Sequence, residues 1–311
     1  MSFYTPLRYP GGKAQLATWV TQVLERNSLD GGTYVEPYAG GCGVAMHLLM
    51  NGAVSRIIIN DADPAIYAFW WCALEASSWL HDRIMATEVT VAERERQRAI
   101  LSSPRAHSPQ ELGFAAFYVN RTSRSGILSG GVIGGKAQNG RYKIDARYNR
   151  VDLVERLRRI AERRDQIELH GVDAMQLLKN LERRLSKHSL IYLDPPYYVK
   201  GAQLYRNFYV PKDHEDIGNA VKVIRTPWIL TYDDCEPIRQ IYAGSSSLTY
   251  SPYYSTHASR ETATEIMVYG NLQLPSPPFM RRGTPASPAM DVARDLYRRT
   301  EESAVRPRSK A

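Results

Sequence analysis

The chain lacks the features that would carry it across a membrane or staple it with sulfur or metal. No apolar run approaches the roughly 18 residues of a membrane-spanning helix. The opening Met1-Ser2-Phe3-Tyr4-Thr5-Pro6 has neither the basic nor the apolar region of a signal peptide. Cysteine is scarce, with three in 311 residues, Cys42, Cys72 and Cys235. Their odd count and wide spacing argue against a disulfide framework and a cysteine metal site, and suit three core thiols in a reducing cytoplasm. No metal ligand set is expected. A Gly-Lys-Ser/Thr phosphate loop and a complete dinucleotide fingerprint are both missing. Acidic residues are absent between Arg121 and Ile144, where Arg121, Arg124, Lys136, Arg141 and Lys143 stand among glycines. That stretch reads as a mobile, basic segment that exposes its backbone.

What is present is a rhythm of short strands and helices. Thr33 to Glu36 and Ile57 to Asn60 read as strands around a helix from Cys42 to Met50, a β-α-β unit. Pro64 to Leu74 reads as a helix capped by Asp63. Ile167 to His170, Leu190 to Leu193 and Trp228 to Tyr232 are further strands, with helices at Met175 to Leu185 and His214 to Ile224. Leu248 to Tyr250 and Glu265 to Tyr269 are expected to pair antiparallel. Strands alternating with helices predict a doubly wound α/β sheet. From Ser77 to Asp165 the pattern changes. A charged helix over Val91 to Leu101, a loop over Pro104 to Pro109 and an aromatic stretch over Phe114 to Asn120 precede the basic segment. The net charge is +8, compatible with a polyanionic partner. Beyond Asn271, eight Lys/Arg against four Asp/Glu and six prolines read as a disordered basic tail.

The most informative motif is Leu190-Ile-Tyr-Leu-Asp-Pro-Pro-Tyr197. A buried strand runs into Asp194, and Pro195 and Pro196 then forbid both sheet pairing and helix. The result is a stiff corner carrying a carboxylate, bare carbonyls and the ring of Tyr197, at the strand end where open α/β sheets bind ligands. It suits a flat group with an amino donor, such as adenine. A second motif, Glu36-Pro37-Tyr38-Ala39-Gly40-Gly41-Cys42-Gly43, leads from strand to helix through a glycine turn. The turn lets a ligand approach the backbone and fits the amino-acid part of a ligand lacking phosphates. Asp61 closes the next strand, either to bond ribose hydroxyls or to cap the helix at Pro64. Lys13, in Arg8-Tyr9-Pro10-Gly11-Gly12-Lys13, sits unfavourably at a helix start. It either pairs with a ligand carboxylate or is an ordinary surface lysine. Asp173 either bonds an adenine amino group or caps the following helix.

These pieces, with Phe117–Arg121 and Gly140-Arg141-Tyr142, occur in one order over roughly residues 1–270. Together they resemble the D12 class of DNA adenine-N6 methyltransferases, which includes the Dam-type enzymes. The resemblance implies a Rossmann-like class I S-adenosylmethionine-dependent methyltransferase sheet with an inserted, mostly helical target-recognition domain. Residues 1–76 and 166–270 would form the catalytic domain, 77–165 the insertion and 271–311 the tail. It implies that Tyr9 and Lys13 lie at the methionine end of the cofactor, that Glu36, Pro37, Tyr38, Gly40 and Gly41 form its floor, and that Asp61 holds its ribose. Asp194 would lie between cofactor and target. Asn120, Arg121 and Arg124 would contact DNA, with Lys136 and Arg141 on phosphates. The Ser125–Gly140 stretch does not match the recognition hairpin of GATC enzymes.

The expected reaction is direct transfer of a methyl group to N6 of a flipped adenine in duplex DNA, with Asp194 and the Pro195 carbonyl orienting the amine. Tyr197 would stack on the base, and Tyr198, Tyr205, Phe208 and Tyr209 either close over it or pack their own loop. A cytoplasmic monomer of bacterial or phage origin, with or without a cognate restriction nuclease, fits this reading. Two alternatives are an RNA adenine-N6 methyltransferase and an idle DNA-binding protein of the same fold.

Overall fold

Alternating side chains along the strands build two cores, one on each face of a single sheet. Tyr34, Ile57, Ile59, Leu190, Tyr192, Ile229 and Met267 face one core. Their neighbours Val35, Ile58, Ile191, Leu193, Leu230, Ile266 and Val268 face the other. Burial on both faces is what a mostly parallel sheet demands. The computed structural model describes residues 4–9, 13–181, 183–199, 201, 209–251 and 264–278.

The strands are β1 (Thr33–Glu36), β2 (Arg56–Asn60), β3 (Ile167–His170), β4 (Ser189–Leu193), β5 (Trp228–Asp233), β6 (Ser246–Tyr250) and β7 (Glu265–Gly270). Their order is β3-β2-β1-β4-β5-β7-β6. The first five run parallel. β7 lies antiparallel between β5 and β6, so the expected terminal antiparallel pair is present. The Rossmann-like α/β expectation holds on this strand order alone. The chain leaves β1 towards β2 and β3, then returns beside β1 as β4. The ends of β1 and β4 therefore flank a topological switch point, where ligands bind in such sheets.

Helices α1 (Ala17–Arg26), α2 (Gly43–Met50) and α3 (Pro64–Glu75) contribute to the first core. The second takes α8 (Ala174–Leu181), α9 (Pro211–Val223) and α10 (Glu236–Ile241). Asp63 caps α3 as expected, its carboxylate accepting from Ala65 N, with Pro64 in the first turn.

Between β2 and β3 stand α4 (Ser77–Ala86), α5 (Val91–Ser102), α6 (Pro109–Thr122) and α7 (Arg150–Ala161). The sequence expectation does not include α4 and α7, and it starts the aromatic stretch too late. Helix α6 begins at Pro109, where Ser108 and Glu111 form a reciprocal capping box. From Leu112 to Thr122 every residue of α6 is buried, and Phe117 stacks on Phe69 of α3 with ring centroids 6.0 Å apart. The insertion thus shares one hydrophobic core with α3 and the sheet.

Two expectations change. Cys42 and Cys72 are buried thiols, but Cys235 is only half-buried. The tail does not leave the protein at residue 271. Asn27 exchanges hydrogen bonds with the Gln273 backbone, and Trp19 Nε1 donates to Ser276 O at 2.8 Å, so the chain from Gln273 to Ser276 is tied to α1. The rest of the tail lies outside the described residues.

Helices α3 and α6 touch through Gly113. A Cβ there would lie 2.5 Å from Ala68 O and 2.6 Å from Cys72 Sγ. Alanine gains roughly 1 kcal/mol of helix propensity over glycine, but a backbone oxygen cannot yield as a side chain does, and overpacking costs about 1–3 kcal/mol. With the propensity gain subtracted, Gly113→Ala is therefore expected to lower stability by about 1 kcal/mol in urea denaturation. An unchanged or raised midpoint would show that the helices part freely.

Candidate active site

The C-terminal edge of the parallel strands carries a row of acceptors. Across the sheet these are Asp173 after β3, Asp61 after β2, Glu36 at the end of β1 and Asp194 after β4. The turn between β1 and α2 lies among them. Gly40 and Cys42 both take positive φ, 45° and 52°, to turn the chain into the helix. Trp70 of α3 anchors this turn by donating to Gly40 O at 2.9 Å.

Asp61 acts first on the protein itself. Oδ2 accepts from Gly40 N and Oδ1 from Asp63 N, both at 2.9 Å. Burial pushes its pKa up to about 7 against those backbone bonds. Asp63, not Asp61, is the cap at Pro64. Asn60, fully buried, donates to Pro37 O and Val172 O and accepts from Val172 N, binding the ends of β1 and β3 across β2. Asp173 takes its capping role, Oδ1 accepting from Met175 N at 2.9 Å, and its side chain remains exposed. Pro37 is buried, and Tyr38 bonds the hydroxyl of Tyr209 at 3.1 Å.

The glycine turn carries one of the protein's own rings. A Cβ on Gly40 would meet the Tyr9 ring at 2.8 Å, and one on Gly41 would meet Tyr9 Cβ at 2.9 Å. These glycines admit Tyr9 against the backbone. Tyr9 and the turn are brought together, with the protein's own ring on the glycines.

Lys13 stands at a helix start as expected but is not a surface lysine. It lies in a 3-10 turn before α1, is 5% exposed, and points at the Asp-Pro-Pro-Tyr corner. Its ammonium stands 3.0 Å from Asp194 Oδ1, 2.9 Å from the Tyr197 hydroxyl and 3.4 Å from Glu265 Oε1. Thr231 of β5 also donates to Asp194 Oδ1, at 2.8 Å. Asp194 Oδ2 makes no hydrogen bond to a described residue, and the side chain is 21% exposed. Burial raises the Asp194 pKa and the nearby Lys13 charge opposes that rise. Asp233 of β5 accepts from Tyr198 N and Val199 N at 2.8 and 2.9 Å, fixing the turn that follows. Pro195 and Pro196 are buried within this corner.

Tyr197 requires a correction. Expected to offer a stacking face, it is 7% exposed, with Lys13 over its ring and its hydroxyl bonded to Lys13 and Glu265. Here the ring is an internal strut. Tyr198 and Tyr209 pack on His214, with centroids 4.9 and 5.6 Å away, which favours loop packing for both. Tyr205 and Phe208 lie outside the described residues.

Two expected DNA contacts are also corrected. Asn120 is fully buried, and its amide accepts from Arg8 N while donating to Arg8 O and Gly126 O. Arg121 is buried too and donates to Arg147 O and Pro6 O. Both are spent on backbone groups of the interior. Arg124, Lys136 and Arg141 are exposed, as expected. Beside them Tyr142 is 52% exposed, with the Arg141 and Arg147 guanidinium groups each 5.4 Å from its ring centroid. The glycine-rich segment is held rather than loose. Gln138 bonds Ile133 O, Gly135 O and Ile144 N, and the buried Arg94 donates to Ser123 Oγ and Gly130 O.

Sequence reasoning did not foresee Thr231, Asp233, Tyr250 or Glu265. Each is a polar or phenolic residue within or at the end of an ordinary strand pattern, and only the sheet order reveals its neighbours.

A family model described as D12 class N6 adenine-specific DNA methyltransferase matches residues 9–256. No curated protein matches the chain. Among solved structures it is similar to a SAM-dependent methyltransferase from Agrobacterium tumefaciens, at 12% identity and TM-score 0.38, covering 82% of this chain and 61% of that one. It is also similar to a Legionella pneumophila protein, at 9% identity and TM-score 0.38, with 85% and 86% covered. A third is a SAM-dependent methyltransferase from Neisseria gonorrhoeae, at 10% identity and TM-score 0.30, with 88% and 74% covered. The chain spans less than two thirds of the Agrobacterium protein's length.

Glu36 offers a test of this edge. It is buried beneath the glycine turn, Oε1 accepts from Ala45 N at 3.0 Å, and burial pushes its pKa from 4.5 up to about 7. A carboxyl whose folded pKa exceeds its unfolded value weakens the fold as pH rises from the lower value to the higher. Glu36→Gln keeps the acceptor and removes the charge. Its stability relative to the native chain is expected to grow between pH 5 and pH 8, by up to about 3 kcal/mol, read by thermal denaturation at both pH values. A constant difference would show that Glu36 does not titrate in that range.

Proposed function

The chain belongs to the D12 class N6 adenine-specific DNA methyltransferase family, and from that membership we propose that it methylates N6 of a flipped adenine in duplex DNA, using S-adenosylmethionine. One observation carries the proposed chemistry. Asp194 stands at the switch point with Oδ1 held by Lys13 and Thr231, with Oδ2 unbonded among the described residues and with the side chain 21% exposed.

The acceptor row fits that cofactor. S-adenosylmethionine presents hydrogen-bond donors at its adenine amine and ribose hydroxyls and positive charge at its ammonium and sulfonium. When bound it supplies an activated methyl group. Asp173, Asp61 and the Glu36–Gly41 turn would hold it along the strand ends, with Tyr9 and Lys13 towards the methionine. Asp194 Oδ2 and the Pro195 carbonyl would accept the two N–H bonds of the target amine. That draws the nitrogen out of conjugation with its ring and aims its lone pair at the methyl group. Asp194 acts as an orienting acceptor, and positioning and electrostatics supply the acceleration.

The target amine is buried in a duplex, so the base must leave the stack, at a cost of a few kcal/mol. The exposed Arg124, Lys136 and Arg141 would grip phosphates and set register. Residues 77–165 would thus recognise DNA, while 1–76 and 166–270 carry the chemistry. Among the described residues no helix is long and apolar enough to cross a membrane. We place the reaction in the cytoplasm of a bacterial or phage-infected cell, carried out by a monomer whose DNA sites a cognate nuclease can share.

Asp194→Asn is expected to lower kcat at least about 100-fold, since a transition-state hydrogen bond of this kind is worth ~3 kcal/mol, while leaving thermal unfolding close to native. Radiolabelled methyl transfer to duplex DNA and to RNA in parallel reads it. Near-native transfer by the variant would refute the role of Asp194. Transfer to RNA alone would replace the substrate.

The two groups of basic-segment residues separate by salt. Removing Arg124, Lys136 and Arg141 together is expected to flatten the dependence of log affinity on log salt by about 0.9 for each phosphate no longer neutralised. Asn120→Ala is expected to lower stability by about 2–3 kcal/mol through stranded backbone groups and to leave that slope unchanged. Fluorescence anisotropy with a duplex at several salt concentrations measures both. Weaker duplex affinity at fixed salt in a folded Asn120 variant would restore it as a DNA contact.

A further inference from the structure

Glu265 is the first residue of β7 and is 1% exposed. A carboxylate is almost never buried to that extent without partners. Its partners belong to the catalytic corner. Oε1 accepts from the Tyr197 hydroxyl and faces the Lys13 ammonium at 3.4 Å. Oε2 accepts from the Tyr250 hydroxyl. Topology explains why this residue can reach the corner. Because β7 runs antiparallel, its start lies at the edge where β4 and β5 end, in register with Asp233 of β5 and Tyr250 of β6. Glu265 therefore meets both Lys13 and Tyr197, and Lys13 in turn meets Asp194.

We propose that Glu265 is a positioning residue for methyl transfer, acting through Lys13 and Tyr197 to hold the Asp194 carboxylate and the Asp-Pro-Pro-Tyr corner in transfer geometry. The inference rests on the assignment of Asp194 as the acceptor for the target amine. A cluster that only stabilised the fold would not need a charge here, since buried ionic groups are often replaceable by apolar ones. A carboxylate at this position sets where the ammonium sits, and the ammonium sets which oxygen of Asp194 stays available. Its charge also acts on Asp194 directly and raises its pKa, against Lys13 and Thr231, which lower it. Among the described residues, the other titratable groups facing this pair include Glu36, Tyr192 and Tyr232 around Asp194, and Tyr192, Tyr197 and Tyr250 around Glu265.

The test is Glu265→Gln in the full chain, with native protein and Asp194→Asn assayed alongside. The expected result is a kcat at least tenfold lower, with KM for S-adenosylmethionine and for duplex DNA within threefold of native. Asp194 must be ionised to accept the amine, and loss of the Glu265 charge lowers its pKa. The acid limb of the kcat profile should therefore move to lower pH. In the protein without cofactor, the Asp194 carboxyl carbon, followed by NMR, should titrate at lower pH as well. Glu265→Asp keeps the charge and should leave the limb where it is in the native chain. A kcat within twofold of native with an unmoved limb would overturn the inference while leaving Asp194 in its role. Should Glu265→Gln not fold, Tyr250→Phe removes the donor to Oε2 only, and a kcat lowered a few-fold at native KM is expected. Native kcat in that variant would then overturn the inference. Loss of the Asp194 role itself, seen as an active Asp194→Asn, would overturn both readings.

Discussion

The edge of the sheet proposed to carry the chemistry is organised around one buried ammonium. Lys13 lies within hydrogen-bonding or ion-pairing reach of Asp194, Tyr197 and Glu265. Taking a charge of this kind out of water costs several kcal/mol unless paired and hydrogen-bonded. Satisfying it here draws together three segments far apart in sequence, the turn before α1, the exit of β4 and the start of β7. Those segments surround the switch point. Two residues of β5 then complete the corner, Thr231 on the Asp194 carboxylate and Asp233 on the backbone of Tyr198 and Val199. The prolines make the corner stiff, but its orientation comes from these polar ties.

The strands and the corner were legible in the sequence because their signals are local. Ile57 to Asn60, Ile167 to His170 and Leu190 to Leu193 announce themselves by short apolar runs, and Asp194-Pro195-Pro196-Tyr197 by a conformation that neither sheet nor helix accepts. The surrounding residues gave no such signal. Glu265 looks like the polar end of an apolar strand, and Thr231 like a β-branched residue where one is ordinary. Their importance depends on which strands become neighbours. Lys13 was singled out for its awkward place at a helix start, and its partners lie 181 and 252 positions onward in the chain, as Asp194 and Glu265.

Asn120 and Arg121 illustrate the opposite error. A polar pair followed by a basic, glycine-rich stretch suggests a surface that meets phosphates. Their actual partners are backbone groups of the N-terminal segment, Pro6 and Arg8, and of Gly126 and Arg147. A saturated, fully buried amide has nothing to offer a duplex. What it does is fasten the strip containing Tyr9 to the end of α6, so that the ring lying on the glycine turn and the start of the basic segment belong to one hydrogen-bonded unit.

That fastening bears on how a loop rather than a helix or strand could present charge to DNA, the role proposed for it. From Ser123 to Tyr148 the backbone is irregular, and an irregular chain must find partners for its polar groups. Gln138 supplies three such bonds from the middle of the segment, Arg94 reaches from α5 to Ser123 and Gly130, and Ser123 pairs with Val132 across the loop. Interior side chains thereby hold the shape, and the outward ones, Arg124, Lys136, Arg141 and the Arg-flanked Tyr142, are left to the solvent. A loop ordered in advance loses less entropy when its cations meet phosphates than one that must order on contact. Glycine supplies the turns at Gly126, Gly134 and Gly135, all at positive φ. The same glycines that suggest looseness in the sequence are what allow this loop to be tied.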